Sequence, residues 1–202
     1  MTNEANDNTT TVDSDSSADF ERPPGTGTFG MVLFLMSLTM LFGASLIGYG
    51  IIRGRVEGIE VVLPLPLWFS TGVLVVSSAF LHYAGLSLRA GHLKAFKMGL
   101  LIALLLGVAF CVVQAPGLYG LVSQHEAARE SNVYLFALIV FLVIVHGLHV
   151  IGGLLPMAVV LSKAFAEHYG PNNAEPVRRL TMYWHFLDGV WMVMFSTFLV
   201  LG

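Results

Sequence analysis

The sequence is poor in the groups on which most soluble proteins depend. Charged residues make up only 11% of its 202 residues, where a soluble domain carries about 25%. Its single cysteine, Cys111, lies within an apolar run, so no internal disulfide framework is possible. Deep carboxylates are scarcer still, since Asp188 is the one acid set far inside a long apolar run. A phosphate-binding glycine loop, a nucleophile elbow and an HExxH pair are all missing. Gly25-Thr26-Gly27 falls in a polar tail, without the strand that a nucleotide fingerprint requires. The net charge of −3 is weak, and Glu4, Asp7, Asp13, Asp15, Asp19 and Glu21 crowd into the first 21 residues. Nucleic-acid binding therefore has no support.

What is abundant is apolar surface. Hydrophobic residues form 55% of the chain and the mean hydropathy is +0.75. Five apolar runs, at about 28–52, 64–88, 96–115, 132–161 and 179–201, are each long enough to cross a bilayer. They lack the alternation of barrel strands, so the expected fold is an all-α membrane protein, a bundle of five transmembrane helices. Residues 1–27, rich in Asn, Thr, Ser and Asp, are expected to be a disordered acidic tail ahead of a five-helix domain at 28–202. The tail is acidic where secretory signals are basic, so it does not read as one.

Lysine and arginine set the expected orientation. With the N-terminus in the cytoplasm, inner segments hold Arg22, Arg89, Lys94, Lys97, Lys163, Arg178 and Arg179, and outer loops hold Arg53, Arg55 and Arg129. Seven against three favours a cytoplasmic N-terminus and a periplasmic C-terminus. Small residues recur every fourth position at Gly99, Ala103, Gly107 and Cys111, and again at Ala44 and Gly48. Such stripes let membrane helices approach closely, and an internal seam is the simpler use for them than a contact with another subunit.

Candidate chemistry is confined to His82, His146, His149, His185 and Asp188 within the spans. An ionised acid near mid-membrane costs roughly 2.5–3.5 kcal/mol, so Asp188 should be paired, protonated or functional. His185 and Asp188, three apart, share a helix face, as do His146 and His149. Counting inward at 1.5 Å per residue places His149 about 18 Å and Asp188 about 14 Å from the same membrane face. If their helices are antiparallel neighbours, His149 is expected to pair with Asp188, with His185 beside them. A hydrogen-bonded structural cluster of His146, His149, His185 and Asp188 explains these residues better than a metal or haem ligand set. No thiolate pair or second deep acid accompanies them, although the ligand reading stays open. Trp68, Trp184 and Trp191 read as packing residues or interface anchors. A small transporter is disfavoured, because inverted repeats and broken helices are not visible.

Two segments carry a family resemblance. Tyr183-Trp184-His185-Phe186-Leu187-Asp188-Gly189-Val190-Trp191 resembles the YWHFVDxVW signature on the last helix of haem-copper oxidase subunit III, found in cytochrome c and quinol oxidases. His146-Gly147-Leu148-His149-Val150-Ile151-Gly152-Gly153 resembles that family's HGLHVxxG segment. Gly30-Met31-Val32-Leu33-Phe34-Leu35-Met36-Ser37 with Phe42-Gly43 and Tyr49, then Leu67-Trp68-Phe69-Ser70-Thr71 with Ser77-Ser78, and finally Gln114, follow the family pattern in order. The resemblance spans about 28–201 and is closest to the short five-helix bacterial form.

That resemblance implies a non-catalytic subunit of the bacterial inner membrane, multi-pass, with oxidase subunits I and II as partners. Haem and copper would sit in those partners, with none in this chain. Phospholipid would be held in a cleft between the family's first two helices and the rest of the bundle. The family's role is to stabilise subunit I, support its proton uptake and protect its active site. It also implies that the four cluster residues brace the bundle. Three positions depart from the pattern: Leu38 stands where the family has a buried glutamate, Ala115 follows Gln114 where an acid is expected, and Ser70 replaces an asparagine. They leave two alternatives, a subunit-III-like accessory protein of nitric oxide reductase and a stand-alone haem- or metal-binding membrane protein using His146, His149 and His185.

Overall fold

The structure, a computed structural model, describes residues 26–55, 65–127, 133–170 and 173–201. These residues form five helices and, among them, no strand: α1 Thr26–Arg53, α2 Leu65–Arg89, α3 Leu93–Ala127, α4 Val133–Phe165 and α5 Glu175–Leu201. All five are long and apolar enough to cross a membrane. In hydrocarbon every backbone N–H and C=O must find its partner within the segment, and a helix does this without outside help. The acidic tail lies outside the described residues as far as residue 25, and Thr26 and Gly27 already belong to α1.

The apolar runs locate the helices, but α3 extends beyond its expected end at residue 115. It passes through Pro116 and ends at Ala127. A proline there removes one N–H and leaves one carbonyl short of a donor, which membrane helices tolerate through local adjustment. α4 likewise runs through Pro156. The sharp α2–α3 connection depends on Gly91, whose φ of 79° is the left-handed cap of α2. Its N–H bonds to the Leu88 carbonyl at 3.1 Å and the His92 N–H to the Ser87 carbonyl at 2.9 Å. That pair of bonds closes the last turn of α2.

α2, α3, α4 and α5 close a ring, each touching the next and α5 returning to α2. α1 stands outside the ring. It packs on α4 and α5 and, among the described residues, on neither α2 nor α3. Only 11% of its most apolar window is buried, against a third or more for the others. α1 and α5 run parallel. Thr28 donates to Glu175 at their starts (3.5 Å), and the Arg53 guanidinium donates to the Leu201 carbonyl at their ends.

The small-residue stripe of α3 is an internal seam. A Cβ at Gly99 would sit 3.1 Å from that of Ala84 and 3.3 Å from the Phe80 carbonyl oxygen. One turn on, Ser77 on α2 donates to the Ala103 carbonyl at 2.9 Å. At Gly107 the stripe turns inward to face α4 and α5. On α1 the pattern is weaker, since Ala44 is exposed and Gly48 meets only Leu138, at 3.8 Å.

Candidate functional site

The centre of the ring is filled by α5. Trp184, Leu187 and Trp191 recur at helical spacing and are all fully buried. Trp184 is wedged between two glycines. A Cβ at Gly107 would lie 2.9 Å from the indole Cη2, and one at Gly153 would lie 3.3 Å from its Cζ3. Gly153 also makes room for Tyr183, whose Cε1 would be 2.8 Å from the added carbon. The Tyr183 hydroxyl donates to the backbone carbonyl of His149 at 2.8 Å. The α4 and α5 signature segments therefore interlock with each other.

The four histidines and the acid separate into distinct settings. His146 is buried among rings. It stacks on Trp191 at 5.2 Å and meets Phe110 and Phe42 edge-on. Among the described residues neither of its ring nitrogens has a partner. His149 turns back to its own helix, with Nδ1 2.7 Å from the Val145 carbonyl oxygen, and packs on Phe42 at 5.7 Å. His185 faces α2 instead, with Nδ1 2.5 Å from Ser78 Oγ and 4.0 Å from Asp188 Oδ2. His82 of α2 lies alongside, its ring centroid 5.7 Å from that of His185.

The expected pairing of His149 with Asp188 is thus not formed. Among the described residues the acid's ion-pair partner is His185, and Asp188 Oδ1 is buried without a partner. The cause is rotation about the helix axis. Depth arithmetic fixes height along α5, and successive residues then point about 100° apart. With Trp184 and Leu187 in the ring centre, His185 and Asp188 are carried round towards α2.

Other motif residues serve the same packing. Trp191 donates its indole N–H to Thr71 Oγ1 at 2.9 Å. Ser70 Oγ lies 2.6 Å from Gln114 Oε1 and 2.9 Å from the Leu67 carbonyl oxygen, tying the start of α2 to α3. Leu38, where the family pattern has glutamate, is buried in the apolar core. Trp68 is half exposed and meets Phe195 edge-on at 4.8 Å. Ser78 and Thr71 were visible in the sequence only as parts of a motif, and nothing there showed whom they would meet. Among the described residues, no three His, Cys, Asp or Glu side chains gather closely enough to hold a metal ion.

His146 invites a direct test. Because its nitrogens satisfy no group among the described residues, His146→Phe removes buried polarity and keeps the stacked ring. Such a replacement is nearly neutral or stabilising, whereas loss of a real hydrogen bond would cost about 1–3 kcal/mol. The expected thermal midpoint in detergent is equal to or above that of the parent protein.

Comparison with known proteins identifies the family. The family model described as cytochrome c oxidase subunit III matches residues 25–202. The chain is 28% identical over 184 residues to cytochrome c oxidase subunit 3 of Thermostichus vulcanus, covering 88% of this chain and 89% of that one. It is 30% identical over 183 residues to cytochrome bo(3) ubiquinol oxidase subunit 3 of Pseudomonas aeruginosa, covering 88% and 86%. Against cytochrome c oxidase subunit 3 of Oryctolagus cuniculus it is 31% identical over 182 residues, covering 83% and 66%. A match of that extent, through helices whose two signature segments interlock, places the chain in the cytochrome c oxidase subunit III family.

Proposed function

We propose that this chain is the non-catalytic third subunit of a haem-copper terminal oxidase in a bacterial inner membrane. It packs beside subunits I and II, stabilises subunit I and supports its proton uptake. The Tyr183 hydroxyl bond to the His149 carbonyl, at 2.8 Å, carries this reading. It ties the α5 signature segment to the α4 one, which supports a bracing use for both. On this reading haem and copper belong to the partner subunits, and electrons do not pass through this chain.

The distribution of cations supports a cytoplasmic N-terminus. Arg89 ends α2, Lys94 and Lys97 open α3, Lys163 ends α4, and Arg178 and Arg179 open α5, all at one end of the bundle. Phospholipid has a natural place beside α1. A cavity of about 670 Å³ lies between α1, α4 and α5, with Met31, Phe34 and Val159 on its walls and Lys163 and Arg179 among its lining. Apolar walls with cationic groups suit an acyl chain below a phosphate.

Asp188 separates a structural from a catalytic role. Asp188→Ala removes the 4.0 Å pair with a partly exposed His185 that keeps Ser78, a loss of about 0.2–1 kcal/mol. Assembly of the oxidase and its survival in detergent are expected to fall, while initial turnover of the complex that does assemble stays near normal. Normal stability with abolished proton uptake would reject the structural role. An absorption spectrum of the purified chain addresses the reading as a whole: no Soret band is expected, and a Soret band in the chain freed of its partners would overturn it.

A further inference from the structure

A second groove, between α2 and α5 and lined by no residue of α1, has a different character. Its cavity of about 310 Å³ is lined by Arg89 and Arg178, with Leu86 and Met182 between them and the paired rings of His82 and His185. Arg89 is the last residue of α2, and Arg178 lies in the first turn of α5. Both guanidinium groups therefore stand at the same end of the bundle, the end where the lysines gather. The histidines lie deeper, His82 being seven residues before Arg89, or about 10 Å along the helix. Charge at the rim and apolar surface below is the pattern of a membrane interface.

The charges are unbalanced in one direction. Arg178 pairs with Glu175 at 3.3 Å, both side chains being exposed. Arg89 has no hydrogen bond or ion pair among the described residues, and His82 makes only its ring contact with His185. Against Arg89 and Arg178 the rim thus offers one carboxylate among the described residues, that of Glu175. A guanidinium presents a planar fork of donors matched to a phosphate, and the surplus charge favours a ligand with net negative charge. A soluble phosphate would make no use of Leu86 and Met182, which would remain against hydrocarbon.

We propose that the α2–α5 groove binds one anionic glycerophospholipid, its phosphate held between Arg89 and Arg178 and its acyl chain lying along Leu86 and Met182. The site is separate from the α1 groove, which lies on other faces of the bundle and uses Lys163 and Arg179.

Native mass spectrometry of the full chain, purified with its partners in mild detergent, tests this. The protein is delipidated and titrated with phosphatidylglycerol or phosphatidylcholine. The parent protein should retain one more phosphatidylglycerol than the R89Q/R178Q double variant, whose affinity at this site should fall about tenfold or more with the loss of charge-assisted bonds. Lys163→Gln with Arg179→Gln should leave this lipid in place. Phosphatidylcholine should bind more weakly, and inorganic phosphate should fail to displace the lipid. A thermal midpoint raised by phosphatidylglycerol in the parent, but not in R89Q/R178Q, would confirm the same site independently. Equal phosphatidylglycerol retention by parent and double variant would overturn the proposal. So would equal retention of the two lipids, or displacement by inorganic phosphate.

Discussion

Trp184→Ala is expected to lower stability by about 3–5 kcal/mol, the range for deleting a large buried aromatic. The indole is 1% exposed and fills the space between α3 and α4 that Gly107 and Gly153 leave open. The glycines that admit the ring carry no side chain to fill the void it would leave. Its N–H is buried with no partner among the described residues, so the loss is one of packing. Trp68→Ala is the control. That ring is 47% exposed and meets one neighbour edge-on, so its removal should cost much less. Thermal unfolding of both variants in one detergent measures the difference, and equal losses would show that the ring centre is not the seat of stability.

Gly107→Val approaches the same contact from the other side. Its Cβ would fall 2.7 Å from Leu154 Cδ2 and 2.9 Å from Trp184 Cη2. The leucine methyl can move, but a fully buried indole cannot swing away without displacing α4. Overpacking of this kind costs about 1–3 kcal/mol and occasionally more. A matching change at Gly147, where an added Cβ meets nothing within 4 Å, should be close to neutral. Valine at Gly107 combined with Trp184→Ala should destabilise less than the sum of the two changes, because the cavity then receives the valine. Contacting residues couple in this way and distant ones do not. Strict additivity would mean that Gly107 and Trp184 do not share a space.

These contacts show why some of the architecture was legible in the sequence and some was not. Hydrocarbon requires long apolar helices, so the five helices and most of their limits could be read from run length. The stripe at Gly99, Ala103 and Gly107 was readable for a similar reason, since only small residues let backbones approach so closely. Rotation about each axis was not readable. Lipid is as apolar as the interior of the ring, so hydrophobicity does not mark which face of α5 points inward. The depth of Asp188 could be counted, and its partner could not. His146 shows the same limit: its motif suggested a hydrogen-bonding role, yet it lies among Trp191, Phe110 and Phe42 as one more ring. α3 overran its expected end because Pro116 does not stop a helix there.

The departures from the family pattern also have a physical consequence. Leu38 is 5% exposed and belongs to the apolar core, so an acid there would be buried. A role in proton uptake for a buried carboxylate at this position therefore does not carry over to this chain. Asp188, beside His185, is the acid set deep within a span among the described residues.

Affinity purification of the tagged chain from its native membranes in mild detergent, with mass-spectrometric identification of what accompanies it, tests the central claim most directly. Near-stoichiometric recovery of haem-copper oxidase subunits I and II is expected, with haem absorbance following subunit I. Recovery of a nitric oxide reductase in their place, or of the chain alone carrying its own haem, would contradict it.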